Sequence, residues 1–326
     1  MIQPVIAIHG GAGAMSRAAM SPEKEQEYLS ALESILTAGQ AVLARGGSAL
    51  DAVTEAVRLL EDCPLFNAGH GAVFTSAGTH ELDAAIMDGA TLRSGAIANV
   101  NCVRNPVFAA RKVMETSKHV FFVGEGAEAF AKDAGLELVD PSYFSTEARR
   151  EQLLRVQRET PEAAVLDHDG QAMVARGQPA PADPLDSDKK FGTVGAVAVD
   201  AQGNLAAATS TGGITNKQVG RVGDAPLIGA GTYASNKTCA VSTTGTGEMF
   251  IRMVAAYDVA AQMEYCGASL ETAADRVVME KLPTIGGKGG LVAVDAQGNV
   301  ALPFNTEGMY RGYARVGEKP VTAIYR

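Results

Sequence analysis

Apolar residues recur at three- and four-residue spacing through Leu29, Leu32, Ile35, Leu36, Val42 and Leu43, the period of an amphipathic helix. The spacing predicts a helix over residues 22–44 that stops at Gly46-Gly47. Ser48 followed by Asp51 reads as a capping box that opens a second helix, closed before Pro64. Ahead of both, the apolar run Val5-Ile6-Ala7-Ile8 reads as a first strand. It leads into His9-Gly10-Gly11-Ala12-Gly13, which reads as a glycine turn needing close backbone approach; the third glycine of a dinucleotide fingerprint and the Lys-Ser/Thr of a P-loop are both missing.

Residues 66–95 alternate glycines with short apolar runs, Ala72-Val73-Phe74 and 82–87 among them, and predict strands joined by tight turns. A helix over 107–117, a strand over 119–123 and helices over 124–134 and 146–159 follow. From there to Lys190 periodicity disappears. With Pro161, Pro179, Pro181 and Pro184, residues 160–192 read as a long mobile linker. His168 lies between Asp167 and Asp169 there, but a mobile loop does not preorganise metal ligands, so the cluster reads as solvated surface.

Beyond that stretch the chain repeats itself: Ala198-Val199-Asp200-Ala201-Gln202-Gly203-Asn204 recurs as Ala293-Val294-Asp295-Ala296-Gln297-Gly298-Asn299. Each copy joins two apolar runs and predicts a β-hairpin. The hairpins flank helices predicted over 247–265 and 269–281, which suggests sheets covered by helices on their outer faces.

Composition narrows the classes. In 326 residues, 46% are hydrophobic and 20% charged, which fits a soluble globular chain with a substantial core and neither disorder nor a membrane protein. A net charge of −9 without long runs of one sign argues against nucleic acid or an anionic membrane as partner. The N-terminus lacks a basic segment and a signal-length apolar run, so a cytoplasmic location is expected. Cys63, Cys102, Cys239 and Cys266 are scattered without a C-x-x-C pair, as expected of structural thiols rather than a zinc site.

Candidate chemistry centres on Thr193, in Phe191-Gly192-Thr193-Val194-Gly195-Ala196-Val197, at the head of an apolar strand. A threonine there is a good strand former. It is also a complete nucleophile and base if the Gly192-Thr193 bond is cut, because a chain-terminal α-amine titrates near ~7.7–8.0 and an internal amide does not. Downstream come Thr209-Ser210-Thr211-Gly212-Gly213, Gly220-Arg221-Val222-Gly223-Asp224 and Thr243-Thr244-Gly245-Thr246-Gly247-Glu248. Each follows a predicted strand, so their tips are expected to meet at one sheet edge. Arg221 and Asp224 suit either an internal ion pair or a ligand carrying both a carboxylate and an ammonium group. Thr244-Gly245 suits either a helix cap or a hydroxyl and N–H pair facing a developing oxyanion.

Taken together and in order, these segments resemble the plant-type (class III) L-asparaginases, or isoaspartyl peptidases, of the N-terminal nucleophile hydrolases. The resemblance runs from His9-Gly10-Gly11-Ala12-Gly13 through Phe66-Asn67-Ala68-Gly69 to Pro303-Phe304-Asn305-Thr306-Glu307-Gly308-Met309. It implies an α+β fold, the four-layer αββα sandwich, formed as one structural domain by an α subunit (1–192) and a β subunit (193–326) after self-cleavage between Gly192 and Thr193. It implies hydrolysis of isoaspartyl (β-aspartyl) dipeptides and L-asparagine to release L-aspartate, with Thr193 as nucleophile.

By the same resemblance Thr211 hydrogen-bonds the nucleophile and Thr244 with Gly245 forms the oxyanion hole. Arg221 clamps the substrate carboxylate, Asp224 meets its ammonium, Gly247 shares that pocket, and Asn67 lines the site opposite the nucleophile. No cofactor for catalysis is implied. A structural sodium ion held by main-chain carbonyls of Leu60, Glu61, Cys63, Phe66, Ala68 and His70 is implied, as is a homodimer of cleaved protomers, (αβ)₂. Two other readings stay open: a glycosylasparaginase-type amidase, disfavoured by the lack of a secretory signal, and a non-cleaving ligand-binding protein of the same fold.

Overall fold

The computed structural model describes residues 2–13, 15, 20–159 and 190–326. Of the linker expected over 160–192, residues 160–189, with His168, lie outside the described residues, while Lys190 and Phe191 are not linker but a short strand paired with Ala12 and Gly13. The elements in chain order are β1 (Val5–Gly13), α1 (Pro22–Ala44), α2 (Ala49–Asp62), β2 (Leu82–Asp88), β3 (Ser94–Val100), α3 (Pro106–Thr116), β4 (Phe121–Val123), α4 (Gly124–Asp133), α5 (Glu147–Glu159), β5 (Lys190–Phe191), β6 (Val194–Val199), β7 (Leu205–Thr211), β8 (Thr232–Ala234), β9 (Cys239–Gly245), α6 (Gly247–Met253), α7 (Ala255–Cys266), α8 (Leu270–Asp275), β10 (Gly289–Asp295), β11 (Val300–Ala301), β12 (Gly308–Arg315) and β13 (Val321–Tyr325).

The helix ends follow their caps. Ser21 Oγ accepts the Lys24 N–H at 3.2 Å, with Pro22 inside the first turn of α1, and Ser48 Oγ accepts the Asp51 N–H at 3.1 Å to open α2. Both helices keep their expected bounds.

Two sheets form. The larger has the order β13-β12-β1-β6-β7-β2-β3-β4, with β5 also paired to β1, and the smaller has the order β11-β10-β9-β8. Strand periodicity assigns their faces. Ile6 and Ile8 of β1, Ala196 and Ala198 of β6 and Ala206 and Ala208 of β7 pack with α1, α2 and α3. Leu291 and Ala293 of β10 and Val241 of β9 pack with α7 and α8. The alternate residues, among them Val5, Ala7, Val197, Val199, Leu205, Ala207, Ala240, Val292 and Val294, fill the space between the sheets. Three apolar layers between four layers of backbone make an αββα sandwich, as expected.

The heptapeptide repeat forms the β6–β7 turn of one sheet and the β10–β11 turn of the other. Asp200 Oδ1 accepts the N–H groups of Gln202 and Asn204 at 3.0 and 2.9 Å, and Asp295 Oδ1 those of Gln297 and Asn299 at 2.9 Å each. Gly203 and Gly298 sit at φ 82° and 83°, the left-handed region that favours glycine.

Four expectations need correction. Residues 9–13 are not a turn but the end of β1, with a register irregularity between His9 and Gly11. Ala72-Val73-Phe74 forms no strand. The helix expected over 247–265 is two, broken at Val254 with φ 49°, because Ala256 and Tyr257 donate their N–H groups to the carbonyls of Ala230 and Gly229 and so restart α7 on that loop. Neither glycine nor proline marks the break. The helix expected over 269–281 is α8 followed by a π-helical turn, Arg276–Lys281.

Candidate active site

The inter-sheet layer changes character along its strands. At one end it is the apolar set above. At the other, residues of the same period-two series are His9 on β1, Thr209 and Thr211 on β7, and Ser242 and Thr244 on β9, with Thr193 just ahead of β6; all six are buried. The expected meeting point at one sheet edge is therefore corrected: Thr211 and Thr244 arrive from two different sheets.

Thr193 Oγ1 lies 3.3 Å from Thr211 Oγ1, which also accepts the Gly213 N–H at 2.9 Å. Gly192 has no room for a side chain, since a Cβ there would stand 2.1 Å from the Cβ of Asn67. Asn67 is buried and tied on three sides: its Nδ2 donates to Gly213 O at 2.7 Å, its Oδ1 accepts the Val73 N–H at 2.9 Å, and its carbonyl accepts the Gly212 N–H at 3.1 Å.

A narrow recess opens here, lined by Gly192, Thr193, Thr211, Arg221, Asp224 and Gly245 with their neighbours. A larger hollow lies among α1, α2 and α3 and shares none of these residues. Its Arg111 is already paired with Asp51 at 2.6 Å and Glu115 at 2.7 Å. The smaller recess holds the candidate chemistry.

Arg221 and Asp224 do not neutralise each other directly. The guanidinium grips Glu248 through Nε and Nη2 at 2.8 and 2.9 Å, which leaves further N–H donors. Asp224 Oδ2 accepts from Thr243 Oγ1 at 2.6 Å. Burial pushes the Asp224 carboxyl up to about 6, against the Thr243 hydrogen bond and the Arg221 charge, which pull it down. A Cβ on Gly247 would lie 2.9 Å from both Arg221 Nη2 and Asp224 Oδ1, so only glycine lets the two charged groups close on this pocket.

The loop carrying Arg221 is strapped down by Glu81. Its carboxylate accepts the Gly220 N–H at 3.0 Å, and its carbonyl accepts from the buried Lys217 Nζ at 3.0 Å. Burial holds the Lys217 ammonium below its ordinary value.

Thr244 Oγ1 accepts the Ala12 N–H at 3.3 Å, and Gly245 sits at φ 153° where a Cβ would strike Lys288 O at 2.2 Å. Thr244 does not cap α6. The cap position is Thr246, whose hydroxyl instead bridges Lys288 O at 3.2 Å and Lys288 N at 3.0 Å and so locks the end of the β9–β10 pair.

The 60–71 loop suits a hard cation by its donor type, main-chain carbonyl oxygen. Gly69 and Gly71, at φ 50° and 115°, let carbonyls crowd: a Cβ on Gly69 would meet Glu61 O at 2.4 Å, and one on Gly71 would meet Pro64 O at 2.6 Å and Phe66 O at 2.8 Å. The Glu61 side chain turns elsewhere, its Oε1 accepting the Val107 N–H of α3 at 2.9 Å. Only its main chain serves the loop.

A profile of the family described as "Asparaginase" matches residues 2–324. The chain belongs to this asparaginase family. It is 62% identical over 326 residues to the Isoaspartyl peptidase of Escherichia coli K12, covering 100% of this chain and 97% of that protein. It is 63% identical over its whole length to all of the Isoaspartyl peptidase of Salmonella typhimurium. The Isoaspartyl peptidase/L-asparaginase of Xenopus laevis is 40% identical over 308 residues, 94% of this chain and 91% of that protein.

The structure brings Thr193, Thr211, Arg221, Asp224 and Gly245 of the expected set to one recess, and four neighbouring residues have no role in the sequence analysis. His9 was read only as part of a turn, and Ser242, Thr232 and Glu248 were given no role. A signal existed for Ser242: it is polar at a position whose strand neighbours two residues away point into the sandwich. Glu248 carried none, since a first-turn glutamate is ordinary helix chemistry.

Proposed function

We propose that this chain is a hydrolase that cuts itself between Gly192 and Thr193, then splits β-aspartyl (isoaspartyl) dipeptides and L-asparagine to release L-aspartate. The observation that carries this reading is the buried Thr193 hydroxyl, 3.3 Å from Thr211 Oγ1, in one recess with the separated charges of Arg221 and Asp224. The relatives' names, Isoaspartyl peptidase and Isoaspartyl peptidase/L-asparaginase, point the same way.

Thr193 is internal in the sequence, so it has no α-amine until the Gly192–Thr193 bond opens. Attack of Thr193 Oγ1 on the Gly192 carbonyl carbon, transfer of the acyl group from nitrogen to oxygen and hydrolysis of the resulting ester free the amine. In the mature site that amine takes the Oγ1 proton as Oγ1 attacks the substrate side-chain carbonyl. Thr244 Oγ1 and the Gly245 N–H face the oxyanion, the leaving amine departs with the proton, and water releases aspartate from the threonine ester. Arg221 holds the α-carboxylate beside Glu248, and ionised Asp224 holds the α-ammonium. These two contacts require an α-amino acid at one end of the substrate and leave the other end open.

By the same reading, main-chain carbonyls of Leu60, Glu61, Cys63, Phe66, Ala68 and His70 would hold a sodium ion. It would supply fixed positive charge that orders the loop carrying Asn67. The active form is taken to be a homodimer of cleaved protomers in the cytoplasm. No helix among the described residues is long and apolar enough to cross a membrane.

The test is aspartate release from β-aspartyl-leucine and from L-asparagine by wild type and Thr193→Ala. Release from both by wild type and from neither by the variant is expected. Release confined to glycosylated asparagine would point to a glycosylasparaginase-type enzyme, and binding without turnover to a non-cleaving protein of this fold.

A further inference from the structure

Behind Thr193 runs a chain of buried polar groups that crosses from one sheet to the other. His9 Nδ1 lies 3.0 Å from Thr193 O, and His9 Nε2 lies 2.9 Å from Ser242 Oγ. Ser242 Oγ is 2.7 Å from Thr209 Oγ1, which is 2.7 Å from Thr232 Oγ1. His9, Thr209, Thr232 and Ser242 are all fully buried.

The order of protons in this chain follows from chemistry. A carbonyl oxygen can only accept, so His9 carries its proton on Nδ1 and donates it to Thr193 O. Burial lowers the His9 pKa to about 3, so the ring is neutral at working pH and Nε2 is an acceptor. Ser242 must then donate to Nε2, and Thr209 to Ser242. At the end of the run the single Thr232 hydroxyl proton faces two acceptors, Thr209 Oγ1 at 2.7 Å and Ala225 O, beside Asp224, at 3.0 Å.

The sheet reserves space for this arrangement. His9 pairs with Gly195 across β1 and β6, and a Cβ on Gly195 would stand 1.9 Å from Ser242 Oγ and 2.6 Å from His9 Nε2. Only glycine lets the imidazole reach across to the second sheet. The register of β6 with β7 begins at Val194, so Thr193 itself stands one residue ahead of the ladder.

We propose that His9, oriented by Ser242 and Thr209, is a positioning residue that holds the Thr193 carbonyl and thereby aims the Thr193 hydroxyl and α-amine. The inference rests on the reading of Thr193 as the nucleophile. Its purpose is clearest after cleavage. Loss of Gly192 removes the covalent anchor on the amino side of Thr193, and His9, contributed by the segment before the cut, grips the residue from the carbonyl side. A misplacement near 1 Å at such a centre costs on the order of 10²-fold in rate.

The test compares full-length Ser242→Ala, His9→Asn, His9→Leu and Thr193→Ala, with processing followed by mass and folding by thermal melting. Ser242→Ala is expected to fold and to lose 10-fold to 100-fold in kcat on β-aspartyl-leucine, with KM within about threefold of wild type. His9→Asn keeps an N–H near the Nδ1 position and is expected to retain at least tenfold more activity than His9→Leu. In ¹⁵N-histidine spectra, the signal absent from His9→Asn should stay neutral and Nδ1-protonated from pH 5 to 9.

Wild-type kcat in Ser242→Ala, or a His9 signal that titrates near the ordinary ~6.5, would overturn the positioning role. If His9→Leu does not fold, the Ser242→Ala kinetics and the spectrum still decide. An active Thr193→Ala would instead overturn the nucleophile reading, and the two failures are thus told apart.

Discussion

Strands β1, β6, β7 and β9 run the length of the inter-sheet layer, and the same face of each changes chemistry on the way. At one end Val5, Ala7, Val197, Val199, Leu205, Ala207 and Ala240 make a dry core. At the other, His9, Thr193, Thr209, Thr211, Ser242 and Thr244 occupy equally buried positions. The period-two alternation is common to both ends, so the change from apolar to polar side chains marks where scaffold gives way to candidate site. The apolar end stabilises by removing carbon surface from water. The polar end must satisfy each hydroxyl, because one left unpaired costs about 1–3 kcal/mol. The hydrogen-bonded hydroxyls around Thr193 therefore set its position within a narrow range.

Substitutions at the two ends should separate activity from stability. Thr211→Val keeps the shape but removes the hydroxyl 3.3 Å from Thr193 Oγ1, and kcat should fall about 10² to 10³-fold in steady-state assays. Its stability cost should stay near 1–3 kcal/mol, from the Gly213 N–H that loses its acceptor. Leu205→Ala, wholly buried at the dry end, should instead lose about 2–5 kcal/mol in denaturant unfolding while the folded fraction keeps its kcat. If Leu205→Ala lowered kcat as much as Thr211→Val does, the division between the ends would fail.

Smaller effects sharpen the polar end. Arg221→Lys loses the guanidinium fork and should raise KM for β-aspartyl-leucine roughly 10-fold or more, with a lesser change in kcat. The Asp224 carboxyl must be ionised to hold an ammonium group, and its pKa is raised to about 6, so kcat/KM should fall as pH drops below about 6. Thr243→Val removes a hydrogen bond that favours the charged form. The acid limb should then move to higher pH, and a shift to lower pH would contradict the assigned role of Thr243.

Much of this was legible in the sequence where local rules suffice. Ser48 and the apolar spacing fixed α1 and α2, and the two Asp-Ala-Gln-Gly-Asn runs gave matching turns because the aspartate bonds lie within each run. The break at Val254 was not legible, since it is set by carbonyls of Gly229 and Ala230 more than twenty residues away in sequence. The site was legible as a set of segments through their joint order. Its depth was not. That His9 and Ser242 meet depends on which faces of two sheets oppose each other, and no single strand records that.

The central claim is that Thr193 becomes a chain terminus before it becomes a nucleophile. Intact-mass analysis of the freshly purified protein, with N-terminal sequencing, tests it most directly. Two chains are predicted, one beginning at Thr193, with aspartate release from β-aspartyl-leucine appearing as they form. A single uncut polypeptide of 33.8 kDa that hydrolyses the dipeptide at full rate would contradict it.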